Sequence, residues 1–325
     1  MPYQNIGTPR FYINTVEWLG SLGIISIDDT YRTLPVGTNS LTVTYWAVEE
    51  EYTTHNALST ENGYLAFLGH NMTADNNISL QGASSTSIVN GEQNSYYNGF
   101  SIWDITGVLT GFVPYNNVAE EITYITVGSI LSGTYYDMPH SPELKLTMTR
   151  EMDGAKRVRT RGGVDLVDHK YTKPPLWANG LAPWEIGGTE NQALSRVGRR
   201  TWSLSFNFMG GSDLFGPNPM LSMDSGTGYY DTGTGQPDVD IYESGDYTGD
   251  SAWSAHSYNL LTDDNFFSQV IHKTNGGQLP MIMQIDNTNN SPDGFAIVKL
   301  DMKSFSFQQQ SSGLYSCNLK IREVW

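Results

Sequence analysis

The feature that most constrains the fold is a series of short runs in which apolar and polar residues alternate. The clearest run covers residues 202–208, Trp-Ser-Leu-Ser-Phe-Asn-Phe, and alternates without a break. Such alternation is typical of an antiparallel strand with one face on the core and the other toward water. Further strand-like runs occupy residues 41–48, 64–68, 100–105, 122–131, 144–148, 279–285, 295–300 and 314–321. The sequence therefore predicts an all-β protein with antiparallel strands.

The composition supports the same fold class. Charged residues make up 16% of the 325 residues, and the 33 glycines favour turns. The strong helix formers are Ala, Leu, Glu and Lys, whereas this chain is polar mainly through Asn, Ser, Thr, Gln and Gly. Residues 11–22 and 264–271 have weak helical spacing, and the first of these segments is equally consistent with an extended N-terminal arm.

A hairpin is predicted over residues 144–161. Asp153-Gly154 has the chemistry of a tight turn and lies between two strand-like runs. Arg157, Arg159 and Arg161 alternate after this turn, so in a strand they would share one face. Two interpretations remain open for that face. It meets a lumen or an acidic neighbour, or it is a solvated face whose charges block edge pairing.

The chain divides most naturally near Pro139-His-Ser-Pro142. We expect a first domain over residues 1–140, which includes an N-terminal arm, and a second over residues 141–325, which includes the basic hairpin. The second domain also contains two long loops, an acidic one over 212–250 and another over 170–192. Loops of this length usually have a function or form an interface. Trp177 and Trp184 in the second loop either fill the core or contact a neighbouring chain.

Charge is distributed unevenly along the chain. The net charge is −16, from 18 basic and 34 acidic residues. Residues 145–200 hold 11 basic and 6 acidic residues, a net charge of +5, which leaves −21 for the rest of the chain. Residues 211–264 contain ten acidic residues and neither Lys nor Arg. Basic and acidic zones of this kind favour head-to-tail association of copies, although two independent surfaces would give the same pattern.

The same charge balance limits the partners. An acidic chain is not expected to bind nucleic acid or anionic lipid directly. No run of 18 apolar residues is present, so no membrane insertion is expected. The N-terminus lacks the basic and apolar regions of a secretory signal, so none is expected.

The motifs of common enzyme classes are missing from the sequence. The six histidines show no metal-binding spacing, and neither a nucleophile elbow nor a phosphate-binding loop is present. Asp168-His169 and Asp137-Met-Pro-His140 bring carboxylate and imidazole close in sequence, but without a matching serine motif. Cys317 lies in an alternating run and is predicted to be a packed strand residue.

Oxygen ligands for calcium are abundant in the acidic loop. They are Asp224, Asp231, Asp238, Asp240, Glu243, Asp246 and Asp250. Their spacing does not fit an EF-hand, and a solvated acidic loop is the favoured interpretation. A carboxylate pair for glycoside cleavage would need a more rigid setting than this loop. We therefore predict no catalytic, cofactor-binding or metal site, and no cofactor.

Several longer motifs resemble structural proteins of tailed bacteriophages, particularly phages of marine and cyanobacterial hosts. In the first half they are YLAFLGHN (64–71), NGFSI (98–102), ITVGSI (125–130) and YYDMPHSP (135–142). In the second half they are RTRGG (159–163), KYTKPP (170–175), WE (184–185), GRRTWSLSF (198–206) and LKIREVW (319–325). The resemblance covers most of the chain, and its motifs are distinctive as a set.

The resemblance implies an N-terminal jelly-roll of the galactose-binding type, and we expect an antiparallel β-sandwich or barrel with long loops to follow it. It also implies a non-enzymatic virion protein of the tail or baseplate, made in the bacterial cytoplasm. Its partners would be other virion proteins and copies of itself, arranged in a ring. Two alternatives remain: a host-surface carbohydrate-binding module of a tail fibre or adsorption protein, with a host glycan as partner, and a decoration protein on the capsid surface.

Overall fold

A computed structural model describes twelve segments of the chain. They are residues 7–34, 41–44, 52–53, 62–73, 76–91, 99–116, 124–144, 146–151, 156–168, 199–214, 264–291 and 294–324. The acidic residues of the loop from Asp224 to Asp250, the segment with Trp177 and Trp184, and His169 lie outside the described residues. The described chain is mostly β-strand, and the predicted all-β class is confirmed.

Sixteen strands and a few short helices make up the described structure. The strands are β1 (Arg10–Asn14), β2 (Leu41–Thr44), β3 (Tyr52–Thr53), β4 (Gly63–Leu68), β5 (Asn76–Asn90), β6 (Phe100–Asn116), β7 (Tyr124–Val127), β8 (Ser129–Asp137), β9 (Thr147–Glu151), β10 (Lys156–Arg159), β11 (Asp165–Asp168), β12 (Arg199–Gly210), β13 (Met281–Gln284), β14 (Phe295–Leu300), β15 (Phe307–Ser311) and β16 (Leu314–Glu323). The helices are α1 (Thr15–Ser21), α2 (Gly211–Leu214), the 3₁₀ helices Asp29–Tyr31 and His272–Thr274, and the π-helix Phe267–Ile271.

Twelve strands form one antiparallel sheet. Its order is β3-β6-β4-β8-β1-β13-β14-β16-β12-β9, with β5 beside β6 and β15 beside β16. The pairs β2–β7 and β10–β11 form two separate two-stranded sheets. All nine predicted strand-like runs overlap a strand, although residues 45–48, 122–123 and 145 of these runs lie outside the described segments.

Strand β1 connects the two halves of the large sheet. It pairs with β8 on one side and with β13 on the other, so Phe11 lies opposite both Tyr136 and Met283. Its apolar side chains are buried on both faces, because Phe11 and Tyr12 belong to two different cores, each of which takes residues from both halves of the sheet. A continuous apolar run is the expected pattern for a strand covered on both sides.

The division near residues 139–142 stays a prediction. Strands β8 and β9, on either side of this segment, belong to the same hydrogen-bonded sheet. Their connection is therefore made through β1, β13, β14, β16 and β12 and not through the chain segment alone.

Residues 11–22, predicted to be either helical or an extended N-terminal arm, contain an extended part followed by a helix. Residues 10–14 are extended, and α1 begins directly after Asn14. The side chain of Asn14 accepts a hydrogen bond from the backbone N–H of Glu17 at 3.2 Å, which caps the helix. The Glu17 carboxylate accepts hydrogen bonds from the backbone N–H and the hydroxyl of Thr33, at 3.0 and 2.8 Å.

Strands β5 and β6 form a long ribbon at one end of the sheet, here called the long ribbon. It pairs from Asn76↔Asn116 to Asn90↔Ser101, with two register shifts. At one of these shifts Gly107 adopts a φ of 108°, a conformation that favours glycine. Sequence patterns did not predict β5, whose residues are mainly Asn, Ser, Thr and Gly.

The predicted hairpin over residues 144–161 is wrong in its pairing. Strand β9 pairs with β12, whereas β10 pairs with β11, which places the basic hairpin at residues 156–168. The physical reason lies in the turn after β10. Gly163 supplies a φ of 83°, and the backbone N–H of Thr160 donates to the carbonyl of Val164 at 2.8 Å. Asp153-Gly154 lies outside the described residues.

Candidate assembly surface

Of the carboxylate–imidazole neighbours chosen from sequence, Asp137 and His140 lie in the described segments, and each has another partner. The Asp137 carboxylate accepts two hydrogen bonds from the Arg10 guanidinium, both at 2.7 Å. That guanidinium also lies 4.1 Å from the ring centre of Tyr135. His140 Nδ1 lies 2.8 Å from the carbonyl oxygen of Ser141. Asp137 therefore fastens β1 to β8, and His140 contacts its own loop.

Cys317 is a packed strand residue, as the alternating sequence predicts. It lies on β16 with 1% of its surface exposed, opposite Phe206 on β12 and Phe307 on β15. Burial raises the pKa of its thiol to about 12. The thiolate, which is the reactive form, is therefore scarce near neutral pH.

His70 is a buried polar residue that the sequence analysis did not single out. Its Nδ1 accepts a hydrogen bond from the backbone N–H of Met72 at 3.1 Å, so Nε2 carries the proton and donates to Ser101 Oγ at 2.8 Å. The same hydroxyl oxygen accepts from the backbone N–H of Gly91 at 3.0 Å. Burial lowers the pKa of His70 to about 3. The neutral ring therefore connects the end of β4 to Ser101 and, through its hydroxyl, to Gly91 at one end of the long ribbon.

A buried ion pair fastens the second half of the sheet. Arg200 on β12 and Glu323 on β16 are 7% and 2% exposed, and their closest charged atoms lie 2.8 Å apart. The Arg200 guanidinium also donates to the carbonyl of Phe295 on β14 at 2.7 Å and lies 5.2 Å from the Trp202 ring centre. Since both charges are paired and enclosed, this cluster holds three strands together and offers no open binding site.

The described segments show no group of three His, Cys, Asp or Glu side chains that could hold a metal ion. In the same segments, no helix has the length and apolar character needed to cross a membrane.

Among the described residues, exposed large apolar side chains are most frequent between Leu144 and Phe208. The large hydrophobic residues exposed in this part are Leu144 (86%), Met148 (49%), Val158 (50%), Val164 (61%), Leu166 (58%), Val167 (39%) and Phe208 (71%). Elsewhere in the described residues, only Leu22, Ile24 and Val108 share this property. Scattered exposed hydrophobic residues are ordinary, but a concentration of them marks an interaction surface.

Three of these residues lie at the end of the large sheet, and we call them the exposed edge: Leu144, Met148 and Phe208. Strand β9 ends the sheet order, and its Met148 lies directly opposite the buried Trp202. Directly opposed residues of antiparallel strands point to the same face, so the apolar layer under β12 continues to an exposed position. Phe208 adopts a φ of 60° at the bulge between Phe206 and Met209.

The other four residues lie on β10–β11 and its turn, residues 156–168, which we call the short ribbon. Every side chain from Arg157 to Val167 is exposed except the half-buried Thr160. Val158 lies directly opposite Leu166, which gives one face an apolar pair. The other face carries Arg157 and Arg159, as the alternation predicts, whereas Arg161 lies in the turn.

The charges of the short ribbon interact weakly with one another. Lys156 lies opposite Asp168, and Arg159 lies opposite Asp165. Arg157 Nε is 3.8 Å from Asp165 Oδ2, with 72% and 43% of the two side chains exposed. Exposed pairs of this kind contribute little to stability, about 0–1 kcal/mol. The ribbon keeps four basic against two acidic residues, a net charge of +2.

Comparison with known protein families, curated proteins and solved structures gives no match to this chain. An exposed sheet edge and an exposed two-stranded ribbon, both with apolar side chains, are each suited to contact with another protein surface.

Proposed function

We propose that this chain is a non-enzymatic structural protein of a tailed-phage virion, most simply of its tail or baseplate. It would be made in the bacterial cytoplasm and assemble through contacts with its own copies and with other virion proteins. The observation that carries this proposal is the exposed edge together with the short ribbon, where apolar side chains face water in the single chain. The resemblance of several sequence motifs to those of phage structural proteins supports the location in a virion.

The finer fold assignment belongs to this proposal. A jelly-roll needs two antiparallel sheets, and the first half contributes β2–β7 in addition to its strands of the large sheet. The strands of the second half are likewise antiparallel and cover a core that includes Trp202, Phe206 and Phe266. These features support a jelly-roll of the galactose-binding type followed by a sandwich or barrel.

The carbohydrate-binding alternative receives less support from the described residues. Sugar recognition by stacking needs exposed aromatic rings. In the described part of the first half, the rings with known burial are all buried except the half-buried Tyr31. They include Trp18 and Trp103, which are 2% and 6% exposed. The large exposed ring in the described structure is Phe208, in the second half and on the exposed edge.

The proposal is tested by the mass of the purified protein. Light scattering after size exclusion, with negative-stain images of the peak, should show rings or other discrete oligomers of the 36.1 kDa chain. Their mass should fall as salt screens the charged zones, because the Debye length shrinks from about 10 Å at 0.1 M to about 3 Å at 1 M. A monomer under all conditions that binds host polysaccharide would instead favour the carbohydrate-binding module.

A further inference from the structure

Phe208 is a bulky side chain held in a backbone conformation that favours glycine. Its φ is 60°, and 71% of its surface is exposed. The register of β12 against β16 shifts between the buried Phe206 and Met209, so Asn207 and Phe208 lie within a β-bulge. Bulges re-aim side chains, and strained residues of this kind cluster at functional sites. The exposed ring is therefore a candidate contact for a ligand.

Uncharged polar side chains lie beside the bulge, on the outer face of β12, β16 and β15. On β16, Ser316 and Asn318 flank the buried Cys317, so they share the face that points away from the core. The residues directly opposite them, Gln308 on β15 and Ser205 on β12, point to the same face. With Asn207 of the bulge and Gln310, these residues form what we call the neutral face: Ser205, Asn207, Gln308, Gln310, Ser316 and Asn318, each exposed or half-buried.

Hydrogen bonds between strands order the side chains of the neutral face. Ser205 Oγ donates to Asn318 Oδ1 at 2.7 Å, and Gln310 Nε2 donates to Ser316 Oγ at 2.8 Å. An amide offers two N–H donors and two lone pairs, so these bonds leave hydrogen-bonding capacity for a ligand. Because the side chains are ordered before binding, less conformational entropy is lost when a ligand binds.

We propose that Phe208 and the neutral face bind a neutral carbohydrate. The ring would stack on one sugar, and the amides and hydroxyls would bond to the sugar hydroxyl groups. This inference goes beyond the proposed function, and it places sugar binding in the second half of the chain. Phe208 would then serve the sugar, whereas Leu144, Met148 and the short ribbon remain for assembly.

The chemistry of this surface selects an uncharged ligand rich in hydroxyl groups. None of the side chains of the neutral face ionises, and the neighbouring Glu143 carboxylate accepts a hydrogen bond from Asn207. Lys320, which follows Asn318 on the same face of β16, is paired with Asp301. A phosphate or carboxylate ligand would thus find no unpaired cation among these side chains. A sugar hydroxyl both donates and accepts, as amides and hydroxyls do.

The size of the neutral face also suits a short stretch of a sugar chain. Neighbouring strands lie about 4.8 Å apart, so three strands span about 10 Å, which is enough for one or two sugar rings. The flat outer face of a sheet would leave both ends of a longer polysaccharide free to continue into solvent.

The proposal is tested by calorimetric titration of the purified full chain with neutral oligosaccharides of glucose, galactose, mannose or xylose. Binding to at least one of them is expected. The variant Phe208→Gly should weaken that binding by about tenfold or more, because the stacked ring is lost. Its melting temperature should stay the same or rise, since glycine adopts a φ of 60° without strain. A lost contact is thereby separated from a lost fold.

Two further variants separate stacking from simple apolar contact. Phe208→Trp keeps a flat ring and should retain binding, whereas Phe208→Leu keeps apolar bulk without a ring and should bind as weakly as Phe208→Gly. Asn318→Ala should weaken binding by about three- to tenfold, the usual effect of losing one hydrogen bond. The control is Leu144→Ala, whose side chain is 86% exposed outside the neutral face and which should bind like the parent.

Failure of this inference is distinct from failure of the proposed function. If the parent binds none of the neutral oligosaccharides at millimolar concentration, or if Phe208→Gly binds them equally well, the carbohydrate site is overturned. Binding that requires an acidic oligosaccharide overturns it too. A parent that forms oligomers but binds no sugar leaves the assembly function standing. If Phe208→Gly dissociates those oligomers and no sugar binds, the ring belongs to a protein contact instead.

Discussion

The long ribbon and the short ribbon are both two-stranded and antiparallel, yet they differ in the burial of their apolar side chains. The long ribbon buries Ile78, Val89, Leu109 and Phe112, each at 6% exposure or less. Its β5 strand contains no charged residue. The short ribbon carries four basic and two acidic residues, and its apolar side chains are 39–61% exposed. Most apolar residues of the long ribbon belong to the core, with Val108 exposed at 43%, whereas those of the short ribbon are exposed to water in the single chain.

The two ribbons also differ in how they are held. His70 connects the base of the long ribbon to the rest of the sheet through Ser101 and Gly91. The short ribbon is closed by Thr160 and Val164 of its own turn. We therefore expect changes in the long ribbon to alter the stability of the whole fold and changes in the short ribbon to alter association.

The largest effect on stability is expected for Phe112→Ala. Phe112 is 1% exposed, and its ring centre lies 5.2 Å from that of Phe67. The cavity should lower the free energy of unfolding by about 3–5 kcal/mol. Chemical denaturation measures this change, with Val158→Ala on the short ribbon as the control. A similar loss in both variants would show that the short ribbon belongs to the cooperative core after all.

A pH-dependent loss of stability is expected from His70. Its folded pKa, about 3, lies below the ordinary value of 6.5, so between these values the unfolded chain binds a proton that the folded chain does not. Stability from the neutral ring is present above pH 6.5 and is lost as pH falls, by about 1.4 kcal/mol per unit at most. Denaturation between pH 7 and 4 measures the slope.

The control for that slope is His70→Gln, which keeps a side-chain oxygen for the Met72 N–H but cannot bind a proton in this range. Its curve should be flatter than that of the parent over the same interval. If both curves fall equally, other groups cause the pH dependence and the buried ring is not responsible.

Two glycines, one in each ribbon, allow the ribbons to be compared through smaller changes in the free energy of unfolding. Gly107 in the long ribbon and Gly163 in the short ribbon have φ values of 108° and 83°. Gly107→Ala should cost about 1–2 kcal/mol of unfolding free energy, because an L-residue is strained there. Its added Cβ would also lie 3.0 Å from the Gly82 carbonyl oxygen. Gly163→Ala, whose Cβ meets nothing within 4 Å, should leave global unfolding unchanged and speed hydrogen exchange in residues 156–168.

The smallest effect is expected for Arg157→Gln. This side chain is 72% exposed and lies 3.8 Å from Asp165. Its loss should change the unfolding free energy by less than about 0.5 kcal/mol. The salt dependence of association should nevertheless become weaker, because one positive charge leaves the short ribbon. Light scattering at several salt concentrations measures the salt dependence of association. An unchanged salt dependence would show that Arg157 takes no part in it.

The sequence predicted strands where apolar and polar side chains alternate, because this pattern gives a strand one face for the core. Residues 202–208 lie in β12 because Trp202, Leu204 and Phe206 occupy one buried face. It did not predict β5, since Asn and Ser are poor strand formers and the pairing with β6 overrides their preference. Tertiary contacts of this kind leave no local signal.

Strand pairing was harder to predict than strand existence. Asp153-Gly154 and Gly162-Gly163 are both turn signals, and local chemistry does not decide which one closes the hairpin around β10. The candidate surface was hidden for a related reason. Val158 lies between Arg157 and Arg159 as a half-buried core residue would, so its exposure became apparent only from the three-dimensional arrangement.

The position of β1 has a consequence for how the protein reaches its native state. Tyr12 donates a hydrogen bond to Gln284, 272 residues away, and β1 pairs with β13 along this contact. Contacts of such long sequence separation slow folding, because the chain must close a large loop before the pairing stabilises it. On the ribosome, β1 can pair with β8 first, but its other edge stays without β13 until residues 281–284 are synthesised, so the large sheet is completed late.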